Sequence, residues 1–173
     1  MRYLVVSDNH GDRDILTDIR DKYQETVDYF FHCGDSELDA TDSLWDTYQV
    51  VRGNCDFGPG FDDSRVIQTG EDTIFMTHGH LYNVRMGFTR LSLQAQEVGA
   101  QLVFFGHTHQ VACEQEQGIL YLNPGSVSQP RGPIHIPTYA LIDVTEDSYM
   151  VQYYNRAHQP VEELRFDFSR VKK

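Results

Sequence analysis

Several broad protein classes are excluded by what the chain has little of. Its 173 residues include three cysteines, Cys33, Cys55 and Cys113. That odd number at irregular spacing argues against a disulfide framework and fits a reducing compartment. No apolar run is long enough to span a bilayer, and no basic N-terminal segment leads into a long apolar core, so a cytoplasmic location is expected. Basic residues are scarce: 14 Lys and Arg against 26 Asp and Glu give a formal net charge of −12. Bulk nucleic-acid binding needs the opposite balance and is not expected. There is no low-complexity tract and no fixed-period repeat, and the length predicts one domain over 1–173.

What is present supports a packed core: 40% of residues are hydrophobic, with 10 Phe and 10 Tyr. One arrangement recurs five times. Leu4-Val5-Val6 runs into Asp8-Asn9-His10, Tyr29-Phe30-Phe31 into Gly34-Asp35, and Val50-Val51 into Gly53-Asn54. Thr73-Ile74-Phe75-Met76 runs into His78-Gly79-His80, and Leu102-Val103-Phe104-Phe105 into Gly106-His107-Thr108-His109. Each apolar run delivers metal-capable side chains at its carboxyl end, where open α/β sheets bind ligands. A histidine pair at i and i+2 after a glycine turn points to a shared metal.

Between the runs, Asp12 is placed to cap a helix with Ile15, Ile19 and Tyr23 on one face. A short helix is expected over 39–48, strands over 29–32 and 49–52, and a hairpin of 65–69 with 73–77 around Gly70-Glu71-Asp72. A second helix over 88–98 ends at Gly99. From Val111 onward only strands are expected, over 111–114, 119–122, 139–144 and 149–154.

Asp8-x-His10, Gly34-Asp35, Gly53-Asn54-Cys55-Asp56, His78-Gly79-His80, Gly106-His107-x-His109 and Asn123-Pro124-Gly125-Ser126, in this order, resemble the calcineurin-like metallophosphoesterase superfamily. Within it the chain is similar to the small bacterial and archaeal phosphodiesterases that also resemble the retromer subunit Vps29. The resemblance implies an α/β fold, a four-layer αββα sandwich with two mixed β-sheets. It also implies two divalent metal ions. Asp8, His10 and His109 would hold one, Asn54, His78 and His107 the other, and Asp35 would bridge them, with His80 near the site as a further catalytic candidate. Carboxylate, amide and imidazole ligands suit Mn²⁺, with Ni²⁺, Fe²⁺ or Zn²⁺ as alternatives, better than Ca²⁺. Ions roughly 3.5–4 Å apart neutralise an anionic phosphodiester and acidify an attacking water.

The expected activity is therefore hydrolysis of small phosphodiesters (EC 3.1.4.-), with phosphomonoester hydrolysis as the alternative. One departure stands out. Where many superfamily members have a histidine after the asparagine ligand, able to protonate the leaving group, this chain has Cys55. Phe57, Phe61 and Tyr82 are candidates for stacking on a substrate ring, and Arg131 for a phosphate contact. His32, His135 and His158 match no ligand motif and read as structural. A contrasting reading, a protein-binding scaffold of the Vps29 type, would use exposed Tyr149, Tyr153 and Tyr154 as a partner surface. Dimers or tetramers of the chain are plausible for the family.

Overall fold

A computed structural model describes residues 1–171. Two sheets carry eleven strands among these residues. The first has the order β11-β10-β9-β1-β2-β3 and the second β4-β5-β6-β8-β7. In the first sheet β1 (Arg2–Val6), β2 (Tyr29–His32) and β3 (Tyr48–Val50) run parallel, and β9 (Thr138–Val144), β10 (Ser148–Asn155) and β11 (Pro160–Ser169) follow as an antiparallel meander. In the second, β4 (Ser64–Gln68) is antiparallel to β5 (Thr73–Thr77). β5, β6 (Leu102–Phe104) and β8 (Ile119–Pro124) are parallel, and β7 (Val111–Glu116) pairs antiparallel with β8. Both sheets are mixed, as expected.

The layering follows from the two-residue period of a strand. Along β1, Tyr3 and Val5 face the second sheet, while Leu4 and Val6 face α1 (Arg13–Tyr23). Along β5, Ile74 and Met76 point between the sheets and Phe75 points at α2 (Thr89–Val98). Strands apolar on both faces are covered on both faces, which gives the four layers α1, sheet, sheet, α2. Asp12 caps α1, its Oδ1 accepting from the Ile15 N–H at 3.4 Å. Gly99, in the left-handed region at φ 70°, closes α2.

Three expectations differ from the structure. The segment 39–48 yields only a 3-10 turn, Ser43–Asp46, because Asp42 caps it at Leu44 and Tyr48 is taken into β3. Strand β11 was not expected from the sequence. Its charged, exposed positions alternate with half-buried Phe166 and Phe168, and an edge strand buries too little for a strong apolar signal. The expected exposed tyrosine surface also fails. Tyr149 and Tyr153 are buried between the sheets, and Tyr154 stacks on Tyr139 at 5.7 Å. The Tyr153 hydroxyl donates to Asn123 O at 2.7 Å, and that of Tyr149 to Asp72. Among the described residues no helix is long and apolar enough to cross a membrane.

Candidate metal centre

Five strands, β1, β2 and β3 of one sheet and β5 and β6 of the other, end at the same edge of the sandwich. All seven expected ligands lie in the turns immediately beyond them. The turns are laced together by the backbone: Asp8 N–H donates to Gly34 O, His10 N–H to Asp35 O and Gly106 N–H to His78 O, at 2.9 to 3.1 Å.

The donor atoms form two groups that share Asp35. In the first, Asp8 Oδ1 is 3.2 Å from His109 Nε2 and 3.7 Å from His10 Nε2. His10 Nε2 is 3.0 Å from His109 Nε2 and 3.9 Å from Asp35 Oδ2. These four residues each offer a ligand atom within 4.8 Å of the others. In the second, Asn54 Oδ1 is 3.1 Å from His78 Nε2 and 2.9 Å from His107 Nδ1, and His78 Nε2 is 3.2 Å from Asp35 Oδ2.

Two features test whether a cation fits. Three imidazoles have Nδ1 already engaged: His78 donates to Cys33 O at 2.7 Å, His109 to Gln129 O at 2.7 Å, and His10 faces Glu37 Oε1 at 3.4 Å. An outer acceptor on one ring nitrogen fixes the tautomer that aims a lone pair from the other. Lone pairs of His10 and His109 facing at 3.0 Å, and of His78 facing Asn54 Oδ1, repel unless a cation lies between. Ligands about 2.1 Å from one ion are about 3.0–3.4 Å apart, the spacing of most pairs here. Second, Asp8 is fully buried and its Oδ1 accepts no hydrogen bond. A bare carboxylate oxygen in the interior calls for positive charge. The residues fit divalent ions of the borderline class, and no thiolate enters the set.

The electrostatics agree. The neighbouring Asp8 carboxylate is the main reason His10 is pushed up to about 9. Burial alone would raise Asp8, yet the neighbouring imidazoles of His10, His109 and His78 hold it well below the usual carboxylate range. Burial opposes protonation of His78, but its bond to Asp35 wins and raises it. His107 falls to about 4 through burial, helped by His78 and Arg85.

Some features were not visible in sequence. Five ligands have left-handed backbone: Asp8 (φ 57°), His10 (45°), Asp35 (56°), His107 (71°) and His109 (59°). Gly53 and Gly106 admit no side chain, since a Cβ on the first would lie 2.7 Å from Asp35 Cγ and on the second 2.6 Å from Asp8 Oδ2. Asp56 is the main residue missed. Its carboxylate accepts the N–H groups of Gly53 (2.7 Å), Asp35 (2.9 Å) and Glu37 (2.9 Å), binding the Asp35 turn to the Asn54 turn. Its place in Gly53-Asn54-Cys55-Asp56 was the available signal. Ser7 Oγ and the His107 N–H hold the other Asp8 oxygen at 2.6 and 3.2 Å.

His80 lies beside the second group, its ring centroid 5.4 Å from His78 and 6.1 Å from His107. Its Nδ1 is buried without a partner, and burial lowers its pKa. The Cys55 N–H donates to Asp35 Oδ1 at 2.8 Å, and burial pushes its thiol up to about 11. Of the three aromatics, Phe61 packs on Trp45 and Tyr82 on Phe75, which leaves Phe57. Arg131 is exposed, its N–H bonded to His109 O at 2.9 Å. His32 is structural, buried between Asn9 and Gly34, and Cys33 lies in the inter-sheet core. His158 bonds the Tyr139 hydroxyl at 2.8 Å, and His135 is exposed.

Comparison with known proteins identifies the family. The family model of the calcineurin-like phosphoesterase superfamily domain matches residues 1–147. The chain is 36% identical over 165 residues to a probable metallophosphoesterase of Bacillus subtilis, YsnB, covering 95% of this chain and 97% of that protein. A crystal structure of a conserved uncharacterized protein, a predicted phosphoesterase from Streptococcus pneumoniae, superposes with a TM-score of 0.95 at 40% identity, covering 98% of this chain and 97% of that one. Vps29 of Entamoeba histolytica, complexed with zinc, shares the fold with a TM-score of 0.74 at 20% identity, covering 98% of each chain.

Proposed function

Because the chain belongs to the calcineurin-like phosphoesterase superfamily, a family of metal-dependent phosphoric ester hydrolases, we propose that it hydrolyses small phosphodiesters at a centre for two divalent ions. The observation that carries this reading is the convergence of seven donors in two groups sharing Asp35. Asp8, His10 and His109 would hold one ion and Asn54, His78 and His107 the other, with Asp35 shared between them. When bound, two such ions supply Lewis acidity toward the phosphoryl oxygens and acidify the attacking water. Mn²⁺ is the ion proposed, with Ni²⁺, Fe²⁺ and Zn²⁺ as alternatives of the same ligand preference.

The protein's own groups do the rest. Gln129 O, Cys33 O and Glu37 orient the imidazoles, Asp56 holds the two turns in register, and the buried walls keep the carboxylates short of water. His80, whose pKa burial lowers and whose ring lies beside His78 and His107, is the residue proposed to meet a phosphoryl oxygen. Cys55 keeps its proton at neutral pH and is a weak acid toward an alkoxide. Esters of good leaving groups therefore turn over faster than alkyl esters, and rate depends steeply on leaving-group pKa.

The test is nitrophenol release from bis-(p-nitrophenyl) phosphate and p-nitrophenyl phosphate, after chelation and separate readdition of Mn²⁺, Ni²⁺, Zn²⁺ and Mg²⁺, with Asp35→Asn as control. Metal-restored hydrolysis that favours the diester and is lost in the control is expected. Preference for the monoester makes the protein a phosphomonoesterase, and no hydrolysis with any ion moves it to the scaffold class. A complete ligand set favours the enzyme.

A further inference from the structure

A groove of 260 Å³ adjoins the centre and is lined by Glu37, Leu38, Asp39, Cys55, Asp56 and Phe57. Two of these residues touch the ligands directly. Glu37 Oε1 is 3.4 Å from His10 Nδ1, and the Cys55 N–H is bonded to Asp35 Oδ1. The groove therefore lies within reach of an ester arm of a diester that would bind at the metals.

The lining is distinctive in three ways. Phe57 is 92% exposed and, among the described residues, packs against no other ring. A wholly exposed phenyl ring beside a catalytic edge offers an unused stacking face. Leu38 forms an apolar floor, packed on the cluster under α1. The charge is of one sign: the Glu37 and Asp39 side chains are exposed, and no Lys or Arg is among the lining residues. Asp56 adds no free acceptor, since backbone N–H groups occupy its carboxylate. The wall is fixed, because Asp39 O accepts from Trp45 Nε1 at 2.8 Å and from the Asp42 N–H at 3.0 Å. By contrast, the 320 Å³ cavity lined by Thr108 and Gln110, beyond His107, carries Arg85.

We propose that this groove selects one ester arm of the substrate: a neutral or cationic arm bearing an aromatic or sugar ring, stacked on Phe57, and not an arm bearing a second phosphate. The inference rests on the phosphodiesterase reading and narrows it to a substrate class, diesters of nucleoside-like or aromatic alcohols without a further anionic group. A second phosphate entering between Glu37 and Asp39 meets like charge at a few ångströms, where repulsion lowers binding by about tenfold or more. Stacking on an exposed ring adds about fivefold.

The experiment uses three substrates with the same leaving group: the p-nitrophenyl esters of methyl phosphate, of thymidine 5′-phosphate, and of thymidine 3′,5′-bisphosphate at its 5′-phosphate. The metal-loaded protein is compared with its Phe57→Ala and Asp39→Lys variants. The thymidine ester is expected to exceed the methyl ester in kcat/KM by about fivefold, a ratio that falls to about one in Phe57→Ala. The 3′-phosphorylated ester is expected to be about tenfold poorer than the thymidine ester, and Asp39→Lys shrinks that penalty by about threefold or more. Hydrolysis of all three with both ratios unchanged in the variants overturns the groove assignment and leaves the phosphodiesterase reading standing. If none is hydrolysed with any ion, the phosphodiesterase reading fails, and saturation-transfer NMR of thymidine and thymidine 3′-phosphate decides the groove. Transfer to the thymine ring that is lost in Phe57→Ala supports it, and absence of transfer overturns it.

Discussion

Replacing Asp56 should damage the metal centre without removing a single ligand. The Asp56 carboxylate is buried, and it receives three backbone N–H groups, those of Gly53 and Asp35 on Oδ2 and that of Glu37 on Oδ1. Asparagine keeps one oxygen, which can still accept from Gly53 and Asp35. Its amide nitrogen then faces the Glu37 N–H, donor against donor. One lost charge-assisted bond and one weakened pair amount to about 2 kcal/mol. Alanine leaves all three N–H groups without their acceptor, and the loss rises to about 4 kcal/mol, short of the full sum because water enters the gap. Both turns then move relative to each other, and with them Asp35 and Asn54. Outer-shell losses of this kind weaken metal binding by about 10–100-fold. Urea denaturation of metal-free protein gives the first quantity, and calorimetric titration with Mn²⁺ the second. An Asp56→Asn protein that keeps wild-type stability within about 0.5 kcal/mol, and binds Mn²⁺ with unchanged affinity, refutes the reasoning.

Other perturbations separate the core from the centre. Asp72, buried at the far end of the sandwich, accepts from the hydroxyls of Tyr3 (2.8 Å) and Tyr149 and from Arg170 Nη2 (3.1 Å); Asp72→Ala should cost about 3–5 kcal/mol in urea denaturation while Mn²⁺ stoichiometry stays unchanged. His32 is held neutral, donating to Asn9 Oδ1 at 2.7 Å and accepting from the Gly34 N–H at 3.0 Å, and burial lowers it from the ordinary histidine value of 6.5 to about 4. Its folded pKa lies below its unfolded one, so its contribution is full above pH 6.5 and is lost as pH falls toward 4, about 3 kcal/mol in all; His32→Gln should show a shallower acid loss than wild type across that window. Since His10 is pushed up to about 9, metal binding at pH 7 must displace its proton, and calorimetry in buffers of different ionisation enthalpy should record release of at least one proton at pH 7 that vanishes by pH 10.

The parts of the fold that were legible in sequence are those whose physics is local. The apolar runs at Leu4-Val5-Val6 and Ile74-Phe75-Met76 are buried on both faces, so composition alone marks them as central strands. Asp12 and Gly99 delimit helices by capping chemistry that acts within a few residues. The failures are non-local. Tyr149 and Tyr153 look like surface residues in a β-rich tail, yet their hydroxyls find Asp72 and Asn123 across the sheet interface. Only the tertiary fold supplies those partners. Strand β11 is legible only once β10 offers it an edge.

The centre shows why ligand identity was legible and its geometry was not. Residue types at strand ends announce the donors, but five of the seven sit at positive φ, which costs a non-glycine residue about 1–2 kcal/mol. Nothing in Asp8, Asp35 or His107 as letters predicts that conformation. It persists because the neighbouring turns hold it: Gly34 O takes the Asp8 N–H, Asp35 O takes that of His10, and Asp8 Oδ2 takes that of His107. The glycines, by contrast, are legible and explain themselves afterwards, since a Cβ at Gly53 or Gly106 would strike the very carboxylates that face the ions. Strain and the bare Asp8 Oδ1 raise the energy of the metal-free centre, and a bound cation relieves the second. Metal binding should therefore stabilise the whole sandwich, because β1, β2, β3, β5 and β6 all end in the ligands it joins.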